Sequence, residues 1–239
     1  MRDVIMIPIS NDEDLVITAD NSGGVGQKLF DYVKVDYETV AYYGLRVALS
    51  ECLTVGAKPL AIVMQNLIGE EEWSHLQKGC QTLFSELKCE PIPITGSTES
   101  NFKMVQSAFA IMVIGKVRKA DIKVRKTPSH AKFACIGKPL CGGEVIEKKH
   151  EIGPLPIIKK LLELPYVFEI VPIGSKGVQY EWKKLCEENK LDYCQITSTE
   201  IDITKSAGPA TCFLISFHPD RTEDIAKAAG GHFFQLNTK

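Results

Sequence analysis

The chain is 239 residues long, 44% hydrophobic and 24% charged, with a formal charge of −2. Such a composition belongs to a soluble globular protein with enough chain for one large core or two smaller ones. The slight negative charge supplies no global field for nucleic acid or an anionic membrane.

The first apolar run, at residues 4–7, is too short for a signal peptide. No later run reaches the roughly 18 apolar residues of a membrane span, so a cytoplasmic protein without a membrane or nucleic-acid partner is expected. Residues 15–19 (Leu-Val-Ile-Thr-Ala) form a short, partly β-branched run that reads as a buried strand, with Asp20 at its carboxyl end and a glycine-rich turn, Asn21-Ser22-Gly23-Gly24-Val25-Gly26, after it. A long helix is expected over residues 37–54, with Val40, Tyr43, Leu45, Val47, Ala48 and Cys52 on its apolar side and Gly56 and Pro59 ending it. Then come a strand at 60–67, a helix at 70–87 and a polar turn, Gly96-Ser97-Thr98-Glu99-Ser100-Asn101. An almost wholly apolar strand follows at 109–117.

The basic segment 116–132 lacks apolar periodicity, and a domain boundary is placed near residue 120. Beyond it, strands are expected at 134–136, 168–172 and 211–217, and helices near 156–164, 178–190 and 221–229. In the middle helix Tyr180, Leu185 and Cys186 are candidate buried positions. The order of elements implies an α+β chain in two halves, 1–120 and 121–239. Eight cysteines, at 52, 80, 89, 135, 141, 186, 194 and 212, are scattered without a Cys-x-x-Cys pair and apart from the five histidines. Reduced, mostly buried thiols are therefore expected rather than a zinc site.

Three acids stand beside small-residue turns. Asp20 with its glycine-rich loop offers a carboxylate for Mg²⁺ and bare amides for phosphate oxygens, although a capped hairpin turn reads the same way. Glu51 sits near a helix C-terminus, where its charge opposes the helix dipole unless water or a cation answers it. Glu99 lies in a turn, where exposed loop acids are common.

Taken together, these segments resemble the AIR synthase (PurM-like) superfamily, which includes thiamine-monophosphate kinase, selenophosphate synthetase and the hydrogenase maturation dehydratase. Val16-Ile17-Thr18-Ala19-Asp20 is similar to the family's "val-x-thr-Asp" strand, and residues 49–59 to its "leu-ser-Asp-x-x-x-met-Gly-Ala-x-Pro" helix end. Gly96-Ser97-Thr98-Glu99 is loosely similar to its "Gly-Gly-Asp-Thr" turn. Glu51 replaces the family's Asp, the third motif lacks its Asp, and the N-terminal "Gly-Asp-Asp-Ala" segment is missing apart from Asp3.

The resemblance implies a PurM-like two-domain fold. Its N-terminal mixed sheet with helices pairs in a homodimer, and a shortened α/β domain follows. It also implies Mg-ATP, with Asp20, Glu51 and Glu99 (or Thr98) as metal ligands, and Asp20 and Glu51 as the catalytic carboxylates. Asn21, Ser22, Gly23, Gly24, Lys28, Gly96, Ser97 and Thr98 become candidate nucleotide contacts, with Lys34 and Arg46 as further phosphate candidates.

In the second half, Gly174-Ser175-Lys176-Gly177 before a helix and Ser206 in a small-residue loop are candidate contacts for a small-molecule acceptor. The compact length and these loops look most like the α-ribazole kinase branch, which phosphorylates the 5′-hydroxyl of α-ribazole in assembling the cobalamin lower ligand. A selenophosphate-type Cys/Lys pair is missing near the start, and the ending Leu236-Asn237-Thr238-Lys239 lacks the dehydratase's reactive Cys. The expectation is an ATP- and Mg²⁺-dependent small-molecule kinase. A thiamine-monophosphate-kinase-like enzyme and a catalytically silent nucleotide-binding regulator are the alternatives.

Overall fold

The computed structural model describes residues 3–192, 195–198 and 200–238, so Cys194 and the terminal Met1, Arg2 and Lys239 lie outside the described residues. The chain divides into two compact units, one of residues 3–122 and one built on residues 123–239.

The first unit is built on strands β1 (Val4–Pro8), β2 (Glu13–Gly23), β5 (Lys58–Asn66), β6 (Ile94–Thr98) and β7 (Ala108–Arg118) in the order β1-β2-β7-β5-β6. Within this sheet β5 pairs with β6 in parallel and the other pairings are antiparallel, which makes the sheet mixed. The short β3 (Val25–Gly26) and β4 (Val33–Lys34) pair separately. Helix α1 (Tyr37–Thr54) begins where the Asp36 carboxylate accepts the Thr39 N–H at 2.7 Å, a standard N-cap. It lies on β2, β7 and β5 through Leu45, Ala48 and Cys52, all fully buried, whereas Val47 is only half-buried. Helix α2 (Trp73–Glu86), preceded by a 3₁₀ turn at Glu70–Glu72, packs on α1. Gly79 permits that packing, because a Cβ there would sit 2.1 Å from the Glu38 carbonyl oxygen.

Burial alternates along β2, β5 and β7, as the period-2 geometry of a strand requires when helices cover one face. The other face carries Leu15, Ile17, Val63, Met112 and Ile114, half-buried, together with Ile5 and Ile7, exposed, and neither α1 nor α2 lies on it.

Two sequence readings change here. Strand β2 does not stop before Asp20; it stays paired with β7 through Gly23 opposite Ala108. Likewise Gly96, Ser97 and Thr98 are not a turn but the end of β6, paired with Met64, Gln65 and Asn66.

The second unit has strands β8 (Lys132–Ile136), β9 (Val167–Pro172), β10 (Ile196–Ser198), β11 (Phe213–Phe217) and β12 (Phe233–Thr238) in the order β10-β12-β8-β11-β9. Every recorded pairing is antiparallel, so this unit is α+β rather than the expected α/β. Its helices are α3 (Glu144–Glu147), α4 (Leu155–Leu162), α5 (Gly177–Asn189) and α6 (Thr222–Ala229). Phe133, Cys135, Leu214 and Leu236 pack with Trp182, Leu185 and Cys186 of α5. All five residues of β11 are buried; four are apolar, and the Ser216 hydroxyl is satisfied by Thr127 Oγ1 at 2.7 Å and the Glu169 N–H at 3.1 Å. Tyr180 is half-buried, and the core position on α5 is Trp182.

Buried Glu169 in β9 accepts hydrogen bonds from the Arg125, Lys126 and Thr127 amides (3.1, 3.0 and 3.0 Å) and the Thr127 hydroxyl (2.7 Å). The basic segment is thus pinned by one carboxylate rather than by an apolar stripe. Seven described cysteines are free thiols, five of them buried, and burial pushes those of Cys52 and Cys80 up to about 12. Among the described residues no helix is long and apolar enough to cross a membrane.

Candidate functional site

The register of the first sheet sets out the candidate residues in rows. Asp20, Ile111, Met64 and Gly96 are aligned across β2, β7, β5 and β6, and Ser22, Phe109, Asn66 and Thr98 form the next row on the same face. That face is the helix side, since the Thr18 hydroxyl two residues before Asp20 donates to the Ala48 carbonyl of α1 at 2.6 Å. Asn21 and Ser97 occupy the alternate row and face the other way. Asp20 therefore shares its side of the sheet with Ser22, Gly96 and Thr98 and not with Asn21 or Ser97.

Burial raises the Asp20 carboxyl to about 6, against a smaller lowering by the Asn21 backbone N–H bonded to it. A desolvated carboxylate at the helix–sheet boundary gains most from a cation partner. Helix α1 runs antiparallel to β2, so Glu51 and Asp20 have backbone positions roughly 11 Å apart along the strand direction. Helical side chains tilt toward the helix N-terminus, which aims Glu51 toward the Asp20 end. Glu99 is occupied otherwise: its Oε1 accepts the Asn101 and Phe102 amides at 2.7 and 3.2 Å, a local loop cap. Among the described residues no group of three or more His, Cys, Asp or Glu is gathered to hold a metal.

The glycine-rich segment is folded back rather than presenting bare amides throughout. The Gly24 N–H donates to the Ser107 carbonyl at 2.8 Å, and the Gly24 carbonyl accepts from Tyr32. At the centre is Asp31, 6% exposed, which accepts from the Ser107 N–H (2.7 Å), the Ser107 hydroxyl (2.7 Å) and the Lys28 N–H (2.8 Å). Burial works to raise its carboxyl, but the Ser107 and Lys28 hydrogen bonds and the nearby Lys34 charge outweigh it, and the net direction is down. Ser107 Oγ also lies 3.1 Å from the Tyr37 hydroxyl. Gly26, with φ of +151°, sits where a Cβ would be 2.5 Å from Ser107 Oγ, so only glycine fits. Sequence reasoning missed Asp31 because its partner is 76 residues away.

The candidate cations differ in availability. Lys28 Nζ donates to the Met104 carbonyl at 3.0 Å, and Lys34 Nζ bonds the Lys28 and Leu29 carbonyls. Arg46 is fully buried between α1 and α2, beside Tyr42, Tyr43 and Glu86, and meets no phosphate. Its role as a phosphate contact is withdrawn.

At the β6 end, an open cleft of about 690 Å³ is lined by Gly96, Ser97, Thr98 and Ser100 on one side and by Glu70, Glu71, Trp73 and Ser74 on the other. From sequence, Glu70 and Glu71 read only as first-turn helix acids, and nothing local marks them as pocket residues.

In the second unit the two proposed acceptor loops adjoin. The Ala207 N–H donates to the Gly174 carbonyl, and the Gln179 N–H donates to the Ile203 carbonyl. A Cβ on Gly177 would lie 2.8 Å from the Lys205 carbonyl oxygen. Gly174, Ser175 and Lys176 are exposed and Ser206 is half-buried. Lys205 is engaged by Glu144 at 2.7 Å. Lys176 Nζ lies 3.3 Å from the Tyr180 hydroxyl, and hydrogen bonds from Lys184 and then Lys176 hold that phenol below its ordinary range.

Residues 1–117 match the family model described as AIR synthase related protein, N-terminal domain. No curated protein sequence matches the chain. Among solved structures, the HypE–HypF complex aligns over 100% of this chain and 88% of its own at 15% identity, with a TM-score of 0.65. AaThiL complexed with AMPPCP and TMP aligns over 100% of this chain and 84% of its own at 13% identity, with a TM-score of 0.61. T. maritima PurL complexed with ATP aligns over 98% of this chain at 11% identity with a TM-score of 0.64, and the chain spans 42% of PurL's length. At these identities the likeness is one of fold: a PurM-like α+β architecture with mixed and antiparallel sheets.

Proposed function

We propose that the protein is an ATP- and Mg²⁺-dependent small-molecule kinase acting on the 5′-hydroxyl of α-ribazole. The observation that carries this reading is Asp20, a desolvated carboxylate on the helix side of the first sheet, in the segment that matches the AIR synthase related N-terminal domain. Structural neighbours solved with ATP and with AMPPCP support a nucleotide as the ligand of such a fold.

Mg²⁺ is ordinarily held by one or two carboxylates and completes its shell with phosphate oxygens and water, and the donor set here fits that mode. Bound with ATP, it neutralises charge on the β- and γ-phosphates. Asp20 is the carboxylate that would hold the ion; Glu51, offset by roughly 11 Å along the strand direction, is too far to share it, and Glu99 is spent on its loop. The Ser22 hydroxyl and Lys28 face the phosphates, and the Asp31–Ser107 hub holds the segment carrying them. The uncovered apolar sheet face, with exposed Ile5 and Ile7, supports pairing of two such units in a homodimer.

The test is ADP release in Mg-ATP with α-ribazole or thiamine monophosphate as acceptor, for the wild type and Asp20→Asn. Turnover with α-ribazole that Asp20→Asn abolishes is expected; turnover unaffected by the substitution removes the metal assignment. A second reading, a nucleotide-binding regulator without catalysis, is favoured by Glu99, whose carboxylate is committed to its own loop. Tight ATP binding without turnover on either acceptor would establish it.

A further inference from the structure

Two imidazoles that the kinase reading leaves unused stand together in the second unit. Phe217 of β11 is paired with Lys132 of β8, and just beyond that pair, where both strands leave the sheet, come His218 and His130. Their ring centroids are 5.7 Å apart, with the planes at 69°. His130 is exposed and His218 half-buried, so the pair opens to water. Neither backbone is loose. The Ala131 N–H closes a turn on the Pro128 carbonyl at 3.1 Å, next to Thr127, whose N–H Glu169 accepts, and the His218 N–H donates to the Tyr166 carbonyl at 2.9 Å.

Paired imidazoles suit a borderline divalent ion such as Zn²⁺ rather than Mg²⁺, which takes oxygen ligands. A Zn–N bond is about 2.0–2.1 Å and a ring nitrogen stands about 1.2 Å from its centroid, so a bound ion lies about 3.2 Å from each ring centre. Centroids 5.7 Å apart then subtend about 125° at the ion, and rings about 0.5 Å closer give the tetrahedral angle. The χ2 torsion of an exposed histidine is soft, so the His130 nitrogen turns toward His218 without movement of the backbone. Water completes the shell.

The support that a metal-bound histidine needs is present as well. His218 Nδ1 accepts the Asp220 N–H at 3.3 Å, and an Asp220 carboxylate oxygen lies 3.8 Å from the same nitrogen. With an ion on Nε2 the ring carries its proton on Nδ1: the Nε2 proton leaves to water, Nδ1 takes one up, and the imidazole stays neutral. Nδ1–H then donates to the Asp220 carboxylate, which fixes the ring and raises its basicity toward the metal. The adjoining cation is engaged elsewhere, since Arg221 pairs with Asp224 at 3.1 Å and lies over the Tyr166 ring.

We infer that His130 and His218 form a site for a borderline divalent cation, Zn²⁺ foremost, with Asp220 as the positioning residue behind His218. The ion clasps the segment that leads into β8 onto the end of β11. This site stands independently of the kinase reading, and its nitrogen ligands set it apart chemically from Mg²⁺ at Asp20.

The full-length protein, stripped of metal by a chelator that is then removed, is titrated with ZnCl₂ while NMR follows the His130 and His218 imidazoles and the Asp220 amide. All three signals should move together and saturate at a single ion per chain, and millimolar Mg²⁺ should leave them in place. His130→Ala and His218→Asn, the second of which keeps a capping side chain before Pro219, should each weaken Zn²⁺ binding at the remaining imidazole by about 10- to 100-fold. Asp220→Asn keeps both ligands and should weaken it about tenfold. A response at one imidazole alone, single-histidine variants that bind as the wild type does, or histidine signals that stay in place while thiols take up the Zn²⁺ overturn the inference. Wild-type affinity in Asp220→Asn removes Asp220 from the site.

Discussion

Asp31→Asn tests the least obvious part of the site. The carboxylate accepts three hydrogen bonds, two from backbone amides, in a position 6% exposed. Asparagine has the same shape but one acceptor oxygen. Whichever way its amide is placed, the NH₂ group faces either the Lys28 or the Ser107 N–H, while the Ser107 hydroxyl can rotate to accept. One buried backbone donor then meets another donor, at a cost of about 1–3 kcal/mol, and the remaining bonds lose their charge assistance. A total of about 2–4 kcal/mol is expected, a large part of the stability of an ordinary domain.

The pH dependence has a definite sign. Asp31 has a folded value below the ordinary 3.8, so its contribution is complete above 3.8 and is lost as the pH falls through the depressed folded value. The gap between wild type and Asp31→Asn should be full at neutral pH and close in strong acid. Urea unfolding across that range measures the gap, and hydrogen exchange at the Lys28 and Ser107 amides locates it. Equal midpoints at neutral pH, with unchanged exchange at those two amides, would refute the hub.

Asp20→Asn should have the opposite effect on stability in metal-free protein. Its carboxyl is raised to about 6 by burial, so ionisation costs stability as the pH rises from 3.8 to about 6. Thermal unfolding in a chelator should show the variant more stable above pH 6, by at most about 3 kcal/mol, and equal to wild type well below pH 4; a less stable variant at pH 8 sinks the burial argument. Arg46→Ala should lose about 3–5 kcal/mol, because it strips the buried charge from between α1 and α2 beside Glu86. Isothermal titration should find ATP affinity per folded molecule unchanged; weaker ATP binding at unchanged stability would return Arg46 to the phosphates.

What could be read from sequence depended on how far each residue's determinants lie from it. Helix α1 was legible because its signals are local: apolar residues recur at helical spacing, and Gly56 and Pro59 stop the chain. Gly96-Ser97-Thr98 looked like a turn on the same local criteria, yet parallel pairing with β5 overrides them. The glycine there serves close approach, since a Cβ would stand 2.0 Å from the Met64 carbonyl oxygen. Gly24 shows the same limit at the site itself, for its N–H, free by sequence, is bonded to a carbonyl 83 residues later.

The contrast between Asp20 and Asp31 carries this into function. Asp20 was visible because a β-branched strand leads directly to it, whereas Asp31 lies in a stretch without periodicity and draws its hydrogen bonds partly from Ser107. Their environments then push the two carboxyls apart, Asp20 up and Asp31 down. A carboxylate already satisfied by three donors has little left to offer a cation and is suited to holding a loop. One that burial has left short of partners gains most when a metal arrives, which makes Asp20 the residue on which metal binding should depend.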